Sequence, residues 1–181
     1  MRMNNYDYFD KQMIEFLEKI EITDRVKIET AKNGNLTARI EKNGRYLYIH
    51  SRYNPTEEAY NQIKGRKFEK NNIFVSGFGL GYHVREILRQ TNKEQMLYIL
   101  ILDPELFKYS IENIDMEEIF NSKRLEFIFG ENKEKLISNF KEKLGGVNEA
   151  EWEFFAHTPS IQTVPDKFSE IAEIIERIEI N

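Results

Sequence analysis

The run Ile73-Phe-Val-Ser-Gly-Phe-Gly-Leu-Gly-Tyr-His-Val-Arg-Glu-Ile-Leu88, followed by Leu97-Tyr-Ile-Leu-Ile-Leu-Asp-Pro-Glu105, constrains this chain more than any other stretch. It reads as strand, glycine turn, helix and second strand. Gly77, Gly79 and Gly81 permit backbone conformations and close approaches closed to other residues. The turn also delivers a helix whose free N–H groups face the strand ends, where a phosphate or carboxylate is stabilised. Asp103 ends the second strand, where a nucleotide-binding fold places the carboxylate that holds a ribose.

The order established there continues. Leu97 to Leu102 is an almost unbroken apolar run, as in a parallel strand covered on both faces. Pro104 opens a helix through Phe107 and Ile111, Leu125 to Phe129 supplies a third strand, Lys133 to Leu144 a helix, and Trp152 to Ala156 a fourth strand. A final helix over 165–180 carries Phe168, Ile171, Ile174, Ile175 and Ile178 on one stripe, which covers the chain's own sheet or, failing that, a second copy or a further domain. The fold class is therefore α/β: a Rossmann-like, mostly parallel sheet with helices on both faces.

The first seventy residues follow other periods. Phe9, Met13, Phe16, Leu17 and Ile20 make one apolar face of a short helix within residues 6–20. Val26–Thr30 and Leu36–Ile40 alternate on either side of Asn33-Gly34-Asn35, and Asn43-Gly44 precedes Arg45–His50. Asn-Gly between alternating runs marks a hairpin, so 26–50 is expected to form an antiparallel three-stranded β-meander. Asn54-Pro55-Thr56-Glu57 has the cap, first-turn proline and returning carboxylate of a helix start. Polar residues 65–72 then suggest a boundary, dividing a small α+β region over 1–70 from a Rossmann-like domain over 71–181.

Lys and Arg number 26 against 31 Asp and Glu, a net charge of −5, which argues against a dedicated nucleic-acid or membrane-surface binder. The basic residues Lys64, Arg66, Lys67 and Lys70 lack an aromatic platform and are interrupted by Glu69, so they read as a solvated run. The absence of cysteine removes disulfides and thiolate metal sites. Acidic residues crowd the first twenty positions, and no apolar run reaches the roughly 20 residues of a membrane span, so a soluble cytoplasmic protein is expected.

Ligand candidates gather at the turn. The third glycine of the dinucleotide fingerprint would stand where Tyr82 is, so the spacing fits better the shorter turn of S-adenosylmethionine-dependent methyltransferases, which Gly77, Gly79, Gly81 and Asp103 generically resemble. A turn that merely permits a tight strand-to-helix connection is the plainer alternative. Phe154-Phe-Ala-His-Thr-Pro159 carries neither the Asn-Pro-Pro-Tyr type of motif nor an acidic pair, which weakens the methyltransferase alternative. Glu131 follows the third strand, where an acid could reach an adenine or ribose, though it equally suits a helix dipole. His83 stands where it could bond a phosphate or hydroxyl or simply pack. His50, His83 and His157 are far apart, no pair has metal-ligand spacing, and no metal site is expected.

Taken together, His50-Ser-Arg-Tyr-Asn-Pro-Thr-Glu-Glu-Ala59, Phe74-Val-Ser-Gly-Phe-Gly-Leu-Gly-Tyr-His83 and Leu102-Asp-Pro-Glu105 are more specific than any one of them. The combination resembles the N-terminal domain of the motility accessory factor family, bacterial proteins implicated in glycosylating flagellin with nonulosonic, sialic-acid-like sugars. His157-Thr-Pro-Ser160 through Val164-Pro-Asp-Lys-Phe168 is similar to the segment that closes that domain, and the likeness runs from about Asn43 onward. The resemblance implies a Rossmann-like first domain beside a central domain that carries the glycosyltransferase function, which would begin where this chain stops. It points to an accessory domain whose partners are flagellin, a downstream glycosyltransferase domain or a second copy. A nucleotide-sugar or an S-adenosylmethionine-like molecule is the ligand class to which Gly77, Gly79, Gly81, Tyr82, His83, Asp103 and Glu131 would answer.

Overall fold

The computed structural model describes residues 4–180. The expected first helix is divided, because Asp10 caps a new start: its carboxylate accepts the Met13 N–H at 2.8 Å, after an extended Phe9. A 3-10 turn over Asn5–Tyr8 therefore precedes α1, Lys11–Glu18. The meander follows as β1 (Val26–Thr30), β2 (Leu36–Lys42) and β3 (Arg45–Tyr48), antiparallel, with Val26 opposite Ile40 and Ile40 opposite Leu47. Asn43 and Gly44 both take positive φ at the second hairpin, as its Asn-Gly pair requires. α2 runs from Pro55 to Ile63, and the Asn54 side chain accepts the Glu57 N–H at 3.0 Å.

The second sheet is built from β4 (Asn72–Ser76), β5 (Met96–Leu100), β6 (Leu125–Ile128) and β7 (Trp152–Ala156), all parallel, in the spatial order β6-β5-β4-β7. Between them lie α3 (Tyr82–Gln90), α4 (Pro104–Asn113), the short α5 (Glu117–Asn121) and α6 (Lys133–Gly145). α7 (Thr158–Thr163) and α8 (Pro165–Ile180) close the chain. The α/β, Rossmann-like class expected from the sequence is the class observed, with α5 and α7 as short additions.

Strand order explains the layering. The chain first winds outward through β4, β5 and β6, then returns to place β7 on the other side of β4. With right-handed crossovers, that reversal sends the later helices to the opposite face. Accordingly Ile73, Val75, Leu97 and Ile99 pack against α3, α4, α5 and also α1, through Met13, Phe16 and Leu17. Phe74, Tyr98 and Leu100 face α6 and α8, and the stripe of α8 packs there through Ile171 and Ile175, so this helix covers its own sheet. A third core joins Val26, Ala38, Ile40, Ile49 and Ala59 of the meander region to Leu80 and Tyr82 of the glycine turn and Leu106 of α4. Residues before 70 thus share two of the three cores with residues after 70.

Candidate functional site at the switch point

In an open parallel sheet the crevice for a ligand opens outside the carboxyl ends of the strands where the winding reverses. Here that position lies between the ends of β4 and β7, at Ser76-Gly77 and Ala156-His157. Gly77, Gly79 and Gly81 all have positive φ, and each is also a point of close approach. A Cβ on Gly77 would lie 2.4 Å from the Ser160 Cβ of α7, and one on Gly79 would lie 2.6 Å from His50 Nε2. The turn is packed by α7 on one side and by the end of the meander on the other. The cavity lined by Gly77, Gly79, Asp103 and Ser160 holds about 10 Å³, room for a single water.

Into the crevice itself project three imidazoles. His50 comes from the residues after β3, His83 from the first turn of α3 and His157 from the end of β7; all are buried, at 3 %, 0 % and 1 % exposure. The rings of His83 and His157 stack at 4.0 Å with 6° between their planes, and His50 lies 5.0 Å from His157 and 5.9 Å from His83. The Leu80 N–H donates to His50 Nε2 at 3.0 Å, which places the His50 proton on Nδ1, 3.5 Å from Glu58 Oε1. His83 Nε2 donates to the Gly77 carbonyl at 2.7 Å, leaving Nδ1 a bare lone pair. His157 Nδ1 lies 2.6 Å from Ser160 Oγ. One nitrogen of each ring, His50 Nδ1, His83 Nδ1 and His157 Nε2, makes no hydrogen bond.

Burial disfavours the charged form of all three. His83 is pushed down to about 3, by desolvation first and then by its neighbour His50. His157 is held well below the usual range by burial, with His83 and His50 adding to it, and His50 is lowered by burial against the opposing pull of Glu58. The cluster is therefore neutral at physiological pH.

The other predicted residues are separately engaged. Tyr82 donates its hydroxyl to the Leu36 carbonyl at 2.6 Å, pinning α3 to β2. Asp103 caps α4 by accepting the Leu106 N–H at 3.2 Å, and Arg25, from just before β1, holds its Oδ1 at 2.7 Å and Glu105 at 3.0 Å. Lys167 of α8 reaches the Leu102 carbonyl at 3.2 Å, and burial lowers its pKa. Glu131 is exposed and paired with Lys19 at 3.1 Å beside an open groove of about 370 Å³ that none of the histidines lines.

The sequence pattern gave no sign that Arg25 would meet Asp103 or that Ser160 would meet His157. A signal for the histidines did exist: each stands at the end of an expected element, and the neighbourhood of β4 and β7 brings two of those ends together.

The family model described as the Maf glycosyltransferase N-terminal domain matches residues 3–157. This chain belongs to that family. The match takes in the glycine turn, the strand-end acid and all three histidines, and extends the likeness back through the meander. Among solved structures, the MAf glycosyltransferase from Magnetospirillum magneticum AMB-1 superposes with a TM-score of 0.53 at 17% identity, over 94% of this chain and 34% of that one. It shares the fold, and the present chain spans about a third of its length. No curated protein sequence matches. No helix among the described residues is long and apolar enough to cross a membrane.

Proposed function

We propose that this Maf N-terminal domain is an accessory module of a flagellin glycosylation protein that transfers a nonulosonic sugar, and that it does not catalyse the transfer alone. In this role the glycine turn is a joint. It fastens the meander and α7 to the carboxyl ends of the sheet and makes residues 4–70 and 71–180 one unit, fit to present a fixed surface to a glycosyltransferase domain or to flagellin.

The observation that carries the proposal is the filling of the switch-point crevice by His50, Ser160 and the meander core, with about 10 Å³ left beside Asp103. Small-ligand pockets are larger by more than an order of magnitude, at roughly 300–1,000 Å³. Asp103, the carboxylate best placed for a ribose, has its Oδ1 held both by Arg25, which it shares with Glu105, and by the Leu106 N–H of the helix it caps, while its Oδ2 is buried without a partner. The test is a transfer assay with flagellin and an activated nonulosonic sugar. The chain alone should give no glycosylated flagellin, while a protein joining it to a Maf central domain should. Transfer by the chain alone would overturn the accessory role.

A further inference from the structure

The histidine cluster goes beyond that role, because its geometry has a chemistry of its own. The backbone partners fix the tautomers of His50 and His83, and the Ser160 hydroxyl, able to accept as well as donate, admits the matching Nδ1–H tautomer of His157; in that arrangement every ring has one proton directed at an acceptor and one lone pair. His50 Nδ1–H faces the Glu58 carboxylate, His83 Nε2–H the Gly77 carbonyl and His157 Nδ1–H the Ser160 hydroxyl. A carboxylate, carbonyl or hydroxyl behind the second ring nitrogen is the support that metal-ligating histidines use to fix their tautomer and orientation. One ring nitrogen from each histidine lies within 4.8 Å of those of the other two.

Two of the lone pairs, on His83 Nδ1 and His157 Nε2, have no hydrogen-bond partner at all, in side chains that are 0 % and 1 % exposed. Buried polar atoms without partners are uncommon and each calls for an explanation. The third lone pair, on His50 Nε2, is held by a single backbone N–H from Leu80.

We propose that His50, His83 and His157 form a binding site for a divalent transition-metal ion of the zinc class, seated at the switch point. Neutral imidazole is a ligand type suited to zinc, copper, iron and nickel, and three histidines leave a further position open for water or another group. At metal–nitrogen distances of about 2.0–2.1 Å, tetrahedral ligand nitrogens are about 3.3 Å apart. The site must therefore contract from the present spacing, the His83 and His157 rings must fan out of their parallel stack, and His50 must give up the Leu80 N–H. Glu58, beside His50, supplies negative charge near the ion. Loading would tie the end of the meander, α3 and the end of β7 to one atom, and so would lock the joint.

The chain suits a clean test, since it has three histidines in all and no cysteine. With any affinity tag removed and the protein freed of metal by chelator, titration with zinc chloride should give one equivalent bound per chain and a rise in melting temperature. Cobalt(II) should produce the intense visible bands of a four-coordinate site built on three imidazole nitrogens. His83→Gln and His157→Gln should each weaken zinc binding at least tenfold, and Glu58→Gln about 10–100-fold. Nitrogen-15 NMR of the wild-type imidazoles reports ligation without any variant: zinc should shift one ring nitrogen of each of the three histidines. Absence of stoichiometric binding, a six-coordinate cobalt spectrum, or ring nitrogens unmoved by zinc would overturn the proposal.

Discussion

Gly77→Ala exposes how tightly the switch point is packed. Gly77 sits at φ 94°, where an L-residue costs about 1–2 kcal/mol, and its new methyl would meet the Ser160 Cβ at 2.4 Å. Overpacking of that kind costs about 1–3 kcal/mol, giving a total destabilisation of about 2–5 kcal/mol. At a urea dependence of roughly 2 kcal/mol per molar, the unfolding midpoint should fall by about 1–2.5 M. Ser160→Gly removes the obstructing atoms, after which the nearest contact to the methyl among those that define the clash is His157 Cβ at 3.7 Å. The double variant should therefore recover the steric share and leave the conformational one, a coupling of about 1–3 kcal/mol in a double-mutant cycle. Strict additivity, within about 0.5 kcal/mol, would show that the methyl finds room and that α7 does not fill the turn.

Three other perturbations have definite outcomes. For metal-free protein, His83 stays neutral down to about 3 when folded and protonates near 6.5 when unfolded, so the unfolded chain binds the extra proton in between. Its contribution to stability is whole above pH 6.5 and is lost as the pH falls towards 3, by up to about 1.4 kcal/mol per pH unit, with His50 and His157 acting in the same direction; urea midpoints from pH 7.5 to 5 measure the slope. Arg25→Met leaves the buried Asp103 carboxylate without its cation and should cost about 1–3 kcal/mol, below the full value for a buried pair because Arg25 is 34% exposed, as read by thermal and urea unfolding. Tyr82→Phe removes the bond to the Leu36 carbonyl and should cost about 1 kcal/mol, accompanied by faster amide exchange in β2 than in β5.

The sequence made the architecture legible where one periodicity dominated. The apolar runs at 73–76 and 97–102 and the Asn-Gly hairpin at 43–44 each had one physical solution, and the fold contains them all. The division at residue 10 was less visible, since the apolar spacing of Phe9, Met13 and Phe16 continues across the break that Asp10 imposes by capping. The site was harder still. Local pattern does not encode strand order, and only the placement of β7 beside β4 brings His157 to His83 and Ser160 onto Gly77. Arg25 reaches Asp103 across 78 residues, a meeting set by the docking of the meander and by no spacing along the chain. Glycines, by contrast, report their need for positive φ directly, but not whether a ligand or the protein itself fills the space they leave.

A titration separates those two cases most directly. S-adenosylmethionine, S-adenosylhomocysteine and an activated nonulosonic sugar, each added to the chain in a calorimeter, should give no saturable heat, because His50 and Ser160 pack against the turn and leave only about 10 Å³ beside Gly77, Gly79 and Asp103. Stoichiometric binding of any of them at micromolar concentration, abolished by Asp103→Ala in a variant that still unfolds cooperatively, would contradict it.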